Sequence, residues 1–136
     1  MIGAIIGDIV GSRFEFGAAP QEGFELFTPD CSYTDDTVCT VAVADAVLNG
    51  RSYQESLLDW CRRYPDPMGG YGNRFNHWIH SEHPQPMNSF GNGAAMRVSP
   101  IGWLFDEWED VLEEAKKSAI VSHNHPEGVK GAQCIA

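Results

Sequence analysis

Apolar residues follow a helical period from the first positions of the chain. Residues 1–11 carry isoleucine and valine at spacings of three and four, which is the pattern of a helix face. Glycine also recurs at every fourth position, as Gly3, Gly7 and Gly11. Because glycine lowers helix propensity, its repetition along one face favours a helix against which another backbone packs closely.

Further helical patterns follow, and several carry recognisable start or stop signals. Thr34 opens an apolar repeat that Gly50 ends, and the capping box of Ser52 and Glu55 begins a helix that ends near Pro65. More helices are predicted over residues 75–79, 92–98 and 107–121, and from Pro126 onward. Loops are predicted over residues 17–33, 66–72 and 83–90, which are rich in glycine or proline.

Strand signals are few, and no two-residue hairpin turn separates alternating runs. The sequence therefore predicts an all-α fold, with residues 1–136 as a single domain. The last helix runs to residue 136 without a stop signal, so its apolar end needs cover. We expect that cover to come from further chain, from a second polypeptide or from self-association.

Composition and charge narrow the class of protein. The 136 residues fit about one domain, and a 43% share of hydrophobic residues is typical of a globular chain. A formal net charge of −10 argues against a nucleic-acid partner and against an anionic membrane surface, since both need clustered Lys and Arg. Asp8 interrupts the apolar start, and no apolar run approaches the roughly 18 residues of a membrane span. The four cysteines form no C-x-x-C pair, so we expect a cytoplasmic protein with reduced thiols.

Thr34, Asp35, Asp36 and Thr37 form the densest group of polar side chains, at a predicted helix start. One interpretation is capping, because Thr or Asp at this place satisfies free N–H groups and favours the helix dipole. The other is a site for a hard cation, since carboxylate and hydroxyl oxygens suit Mg²⁺, Mn²⁺ or Ca²⁺. Neighbouring residues on a helix point about 100° apart, so both carboxylates reach one metal region only at a helix end or when two ions share them.

Two other segments carry candidate chemistry. Glu15 is either an exposed loop carboxylate or, between two phenylalanines, a partly buried acid suited to proton transfer. The segment 88–97 has glycines before a predicted helix, which leave backbone N–H groups open to an anion such as a diphosphate. Phe90 is suited to stacking on a base or ribose. The alternative is a loop that uses Gly91 and Gly93 only for positive φ.

Histidines are the remaining candidates. His123 and His125 are interpreted as ligand-binding, metal-binding or helix-capping residues. His77, His80 and His83 share the spacing of one helix face, but the missing cysteine partners argue against a zinc site.

Four motifs occur in the chain in a fixed order. They are GAIIGDIVGSRFE at residues 3–15, YTDDT at 33–37, NSFGNGAAMR at 88–97 and SHNHPEGVKGA at 122–132. Together they resemble the ADP-ribosylglycohydrolase family and span nearly the whole chain. The resemblance implies an all-α array of orthogonally packed helices with a two-Mg²⁺ centre, in which Mn²⁺ is an alternative. It also implies ADP-ribose or an ADP-ribosylated protein as the ligand.

The resemblance further implies roles for individual residues. Thr34, Asp35 and Asp36 are implied as metal ligands, and Asp36 is also expected to act in catalysis. Glu15 is implied as the carboxylate beside the scissile glycosidic bond, while Asp8 either reaches the metal or supports the first helix. The implied substrate-binding residues are Ser89, Phe90, Gly91, Asn92, Gly93 and His123.

The activity implied by the resemblance is magnesium-dependent hydrolysis of the glycosidic bond that links ADP-ribose to a protein side chain. Family members are about twice as long by their domain size, and their carboxy-terminal half carries a second acidic cluster, D-x-D followed by Ser or Thr. No D-x-D occurs in this sequence. We therefore expect a truncated domain that hydrolyses ADP-ribose linkages when completed. The alternatives are a non-catalytic module that binds ADP-ribose or a nucleotide, and a structural role in an assembly.

Overall fold

A computed structural model describes all residues of the chain, 1–136, and it contains helices but no strands. The predicted all-α fold is confirmed. The α-helices are α1 (Ile2–Gly11), α2 (Asp35–Asn49), α3 (Tyr53–Arg63), α4 (Asn73–His80), α5 (Ile101–Leu104), α6 (Trp108–Ile120) and α7 (Pro126–Ile135). Single 3₁₀ turns cover Ser12–Phe14 and Asn92–Ala94, and one isolated bridge joins Thr34 to Met68. None of the helices has both the length and the apolar character needed to cross a membrane.

Side chains and glycine at the helix ends explain the limits of α2 and α3. Thr34 is extended, and its hydroxyl accepts a hydrogen bond from the Asp36 N–H at 3.2 Å. Ser52 likewise accepts from the Glu55 N–H at 3.5 Å before α3. Gly50 ends α2 in the left-handed conformation, with a φ of 60°, which glycine adopts without a Cβ clash. The starts and the stop predicted from these three residues are confirmed.

One predicted helix is wrong. Residues 92–98 form a 3₁₀ turn and then further turns, because the spacing of the backbone hydrogen bonds falls from four residues to three. The Met96 N–H bonds to the Asn92 carbonyl four residues back, but the Val98 N–H bonds to Ala95, only three residues back. Gly93 lowers the helix propensity of this segment, and tertiary packing decides its path.

α2 lies at the centre of the packing, because it contributes to two hydrophobic clusters. The first joins α2 to α3 and α4 and consists of Val38, Cys39, Ala42, Leu57, Cys61, Phe75, Trp78 and Ile79. The second joins α2 to the later helices and consists of Val43, Ala94, Val98, Ile101, Val111, Ala115, Ala119 and Ala132. Burial worth about 1.5–3 kcal/mol for each large apolar side chain therefore holds α2 and the position of its amino end.

α1 is the exception to this packing, although nearly all its residues are apolar. Val10 is its one buried residue, and Ile2 is 70% exposed. No atom of another segment lies within 4 Å of where a Cβ would stand on Gly3, Gly7 or Gly11. The close backbone packing expected at this glycine face is therefore not found in the chain, because α1 packs chiefly against α2 and leaves that face open.

Candidate functional site

Acidic side chains from two segments meet at one cleft. α1 and the 3₁₀ turn after it place Asp8 and Glu15 there, and the start of α2 places Thr34 and Asp36. This acidic cleft has a volume of about 340 Å³. It shares Glu15 and Asp36 with a neighbouring depression of about 430 Å³, whose wall also contains Asp35. The structure thus brings together the residues predicted at positions 15 and 34–36.

Asp8 organises the start of α2. Its carboxylate accepts hydrogen bonds from the backbone N–H groups of Thr34 and Thr37, at 2.9 and 3.2 Å, and from the hydroxyl groups of both residues. Thr34 also caps α2, so the capping interpretation is confirmed for that residue. Asp35 and Asp36 follow the cap in the first turn of the helix.

The carboxylates of the cleft are not neutralised by a basic side chain. None of the ion pairs in the chain involves Glu15, Asp35 or Asp36. Burial raises the pKa of Asp35 to about 6, and the carboxylates of Asp36, Glu15 and Asp8 add to the effect. Burial, with the charges of Asp8 and Glu15, also raises the pKa of Asp36. The fold therefore concentrates negative charge where a bound cation would relieve the repulsion.

The donor atoms of the cleft suit a hard divalent cation. Thr34, Asp35 and Asp36 offer hydroxyl and carboxylate oxygens, the ligand type that Mg²⁺ and Mn²⁺ favour. No three carboxylate, histidine or cysteine side chains converge as a ready metal site. An ion held here would therefore take its remaining ligands from water or from protein atoms outside residues 1–136.

A second cavity, of about 320 Å³, adjoins the acidic cleft through Asn92, which lines both. Five of the six residues predicted to bind substrate line this second cavity, and they are Ser89, Gly91, Asn92, Gly93 and His123. Phe90, the sixth, is 73% exposed and packs edge-on against His125, with ring centroids 5.5 Å apart. The structure thus places Phe90 outside the cavity wall.

The glycine-rich loop comes close to His123. A Cβ on Gly93 would lie 2.7 Å from Nε2 of His123, so the ring packs directly against this glycine. The alternative interpretation, positive φ at Gly91 and Gly93, is wrong, because the positive φ of this loop falls on Asn88, at 49°. The Asn88 N–H donates to Oδ1 of Asn124 at 2.7 Å, which ties the loop to the segment after α6.

His123 is buried, and its Nδ1 lies 2.9 Å from the Ser122 hydroxyl oxygen. Burial lowers the pKa of His123 to about 4, and the positive charges of Arg97 and Arg74 add to the shift, so the ring is neutral at pH 7. His125 has a different role, since its Nδ1 accepts a backbone N–H at 3.1 Å and caps the amino end of α7. Of the two histidines, only His123 lines the second cavity.

Comparison with known proteins identifies the family. Residues 1–136 match the family model for ADP-ribosylglycohydrolase. The chain belongs to the ADP-ribosylglycohydrolase family. Similar curated proteins are the ADP-ribosylhydrolases ARH3 of Xenopus tropicalis, Gallus gallus and Homo sapiens, which are 27%, 28% and 27% identical to it. Each alignment covers 97% of this chain and 46% of the relative, so the chain spans about half the length of the curated relatives it matches.

Several residues around the candidate site are not evident from the sequence pattern. Arg74 and Arg97 line the second cavity, and Gly69 lies so close to Glu15 that a Cβ would be 3.1 Å from Oε2. Gly69 and Gly70 have φ values of 82° and 71°, and such a glycine pair after proline is a local signal for a tight turn. The arginines carry no local signal, because only tertiary packing brings them to the cavity.

Replacing Asp35 by asparagine should stabilise the metal-free chain, because it removes a partly buried charge from a group of like charges. The pKa of Asp35 in the folded chain, about 6, lies above its ordinary value of 3.8. The charged carboxylate therefore destabilises the fold fully above about pH 6, and this destabilisation is absent below about pH 3.8. We expect the free energy of unfolding at pH 7 in EDTA to rise by about 1–2 kcal/mol, with the gain disappearing toward about pH 4. Urea denaturation across this range measures it. Exposed Asp106→Asn is the control, and an equal gain there would contradict the repulsion.

Gly93→Ala should displace His123 or the loop, because the added methyl group would approach Nε2 to 2.7 Å. We expect the free energy of unfolding to fall by about 1–3 kcal/mol, with a shifted NMR signal from His123. Gly91→Ala is the matched control, since its methyl group would lie 3.4 Å from the nearest atom, Oγ of Ser89. Equal losses in the two variants would show that the ring does not pack on position 93.

Proposed function

We propose that the chain acts in magnesium-dependent hydrolysis of the glycosidic bond that joins ADP-ribose to a protein side chain. The observation that carries this proposal is the adjacency of the acidic cleft and the loop-lined cavity, which share Asn92. ADP-ribose combines an anionic diphosphate with a ribose that carries the bond to be cleaved, so it needs both environments. The name of the relatives, ADP-ribosylhydrolase, supports the same class of reaction.

Thr34, Asp35 and Asp36 are the residues that would hold Mg²⁺, or Mn²⁺, with two ions in the completed site. The chemistry that such an ion would supply is to orient the ribose hydroxyl groups and to lower the pKa of a bound water. Asp8 is assigned a supporting role, because its carboxylate already accepts four hydrogen bonds from Thr34 and Thr37. In this proposal Asp8 positions the start of α2, and Thr34, Asp35 and Asp36 bind the ion.

Glu15 and Asp36 are proposed to act where the bond breaks. Glu15 follows the first 3₁₀ turn and faces the same cleft as Asp36. Gly69 keeps space beside Oε2 of Glu15, where a larger residue would crowd it. The Glu15 carboxylate can accept a proton from the attacking water at that oxygen, which makes the water a better nucleophile. The charge of Asp36 favours the positive charge that develops on the ribose in the transition state.

The second cavity is proposed to bind the diphosphate and the distal ribose. The ligand-binding residues of this proposal are Ser89, Phe90, Gly91, Asn92, Gly93 and His123. Glycines let the ligand approach the backbone closely, and Arg74 adds positive charge to the cavity wall. Phe90 lies outside that wall, where its exposed ring can stack on a base that projects from the cavity.

We also propose that a further polypeptide segment completes the site, equivalent to the part of the ARH3 relatives that residues 1–136 do not match. The cleft lacks a full set of metal ligands, and an apolar groove of about 390 Å³ lies open beside α1. Residues lining the groove include Met1, Ile2, Leu48, Pro100, Trp103 and Leu104. A helix with an apolar stripe would cover this groove, whose wall includes Gly3 at the amino end of α1.

A non-catalytic module that binds ADP-ribose or an adenine nucleotide is the second candidate function. The cavity at His123 is formed by this chain alone, whereas the acidic cleft lacks ligands. Metal-independent binding would therefore need nothing further. For either function we propose a cytoplasmic location, because all four cysteines are free and Cys39 and Cys61 remain thiols 3.9 Å apart in the core.

Hydrolysis should require Mg²⁺, the acidic cleft and the completing polypeptide. We expect release of ADP-ribose from ADP-ribosylated arginine or serine peptides when the unmatched part of an ARH3 relative is added. Asp36→Asn should reduce the rate by about 100-fold or more, and exposed Asp106→Asn should not.

Two outcomes would contradict the hydrolase proposal. The first is no turnover by the folded chain with Mg²⁺ and the completing polypeptide present. The second is an ADP-ribose affinity, measured by calorimetry, that does not depend on Mg²⁺ and is unchanged in the double variant Asp35→Ala, Asp36→Ala, with no turnover detected. That second result would favour the binding module.

Trp103→Glu should abolish association with the completing polypeptide, because it places a charge in the apolar groove. Trp103 is 78% exposed, so the chain itself should still fold. Trp108→Glu is the matched control, since Trp108 is 66% exposed and lies outside the groove. Sedimentation velocity measures both. Equal effects of the two substitutions would show that the completing polypeptide binds at another interface. A stable dimer of the chain alone that Trp103→Glu dissociates would show that the groove serves self-association.

A further inference from the structure

A buried arginine lies behind the second cavity without a carboxylate partner. Arg97 is fully buried, and its Nη2 donates to the Ser118 carbonyl at 2.7 Å and to the Ser122 hydroxyl oxygen at 2.9 Å. Its guanidinium carbon lies 5.8 Å from the centre of the Phe75 ring. No ion pair involves Arg97. The guanidinium group therefore donates to a carbonyl oxygen and to a neutral hydroxyl oxygen, and not to a carboxylate.

The Ser122 hydroxyl group can donate one hydrogen bond, and the side chains of Arg97 and His123 both lie within hydrogen-bond distance of it. Because a guanidinium has donors and no acceptor, the Ser122 oxygen must accept from Arg97. The remaining neighbour within hydrogen-bond distance is Nδ1 of His123, at 2.9 Å. Ser122 is fully buried, so its O–H would lack an acceptor if Nδ1 also carried a hydrogen. The arrangement that satisfies both the Ser122 hydroxyl group and Nδ1 of His123 has Ser122 donating to Nδ1.

A neutral imidazole with an accepting Nδ1 carries its hydrogen on Nε2. That nitrogen packs against Gly93, in a cavity whose wall includes Ser89 and Gly91. We propose that Arg97 and Ser122 are positioning residues that hold His123 as the neutral Nε2–H tautomer. In this form His123 donates a hydrogen bond to an oxygen atom of the ligand in the glycine-rich loop. The identity of that ligand as ADP-ribose rests on the proposed function.

The direction of this hydrogen bond chain decides which ligands the cavity accepts. A donating Nε2–H favours a phosphoryl or hydroxyl oxygen, whereas an accepting Nε2 would repel a phosphoryl oxygen. Charge points the same way, because Arg97 and Arg74 favour the uncharged ring and the burial of His123 adds to that preference. The cavity therefore has a donor fixed in place before any ligand arrives, which reduces the ordering needed on binding.

NMR spectroscopy of the ¹⁵N-labelled chain tests the tautomer directly. Two-bond ¹H–¹⁵N spectra at pH 7 should show His123 with an unprotonated Nδ1 and a protonated Nε2, its signals being assigned by their loss in His123→Gln. Ser122→Ala should shift the Nδ1 signal and lower the fraction of the Nε2–H form. Ser118→Ala is the matched control, because Ser118 is equally buried and its hydroxyl donates to Ala115 and not to the histidine.

Calorimetry with ADP-ribose gives the second measurement. We expect Ser122→Ala to bind about 5-fold more weakly, the effect of one misdirected hydrogen bond, and Ser118→Ala to bind within about 2-fold of the unaltered chain. A protonated Nδ1 in the unaltered chain overturns the proposal even if Ser122→Ala does not fold. So do unchanged His123 signals in folded Ser122→Ala, or equal affinities of the two variants. If ADP-ribose does not bind the unaltered chain, the proposed function fails, while the NMR spectra still decide the tautomer.

Discussion

The hydrogen bonds that Asp8 accepts are the constraint on which the acidic cleft depends. A single carboxylate on α1 binds the N–H and O–H groups of Thr34 and Thr37 at the start of α2. Two hydrophobic clusters hold α2 in the core, so Asp8 connects an exposed helix to a buried one. It thereby sets the separation between the turn that carries Glu15 and the helix end that carries Asp35 and Asp36.

The carboxylates around this contact divide into two kinds. Asp8 is surrounded by hydrogen-bond donors, which fits a structural role. Asp35 and Asp36 have no basic partner, and burial with like charges raises the pKa of both. Such repulsion lowers the stability of the folded chain, and the fold tolerates it because the core around α2 is well packed. The cleft thus combines one fully hydrogen-bonded carboxylate with two carboxylates whose mutual repulsion a bound cation would relieve.

Local signals explain how much of this could be predicted from the sequence. The limits of α2 and α3 were predictable because Thr34, Gly50 and Ser52 cap these helices through contacts with residues at most four positions away in the sequence. The polar cluster at the start of α2 was predictable for the same reason, since Thr34, Asp35 and Asp36 are consecutive in the sequence. The Gly93–His123 contact and the place of Arg97 were not, because they join segments distant in the sequence. The period of α1 indicated a helix but not its surroundings, and the expectation of a packed glycine face failed there.

The open face of α1 has a consequence for how the two cavities persist. The glycine-rich cavity is built on the core, so it lasts as long as the domain stays folded. The acidic cleft lasts only while α1 stays docked, because undocking would remove both Asp8 and Glu15 from it. A molecule that binds the apolar groove formed by the amino end of α1, Leu48 and α5 would stabilise the docked form, because only the docked α1 completes that groove. Occupancy of this groove, which shares no lining residue with the acidic cleft, would thus raise the fraction of molecules in which the acidic cleft is formed.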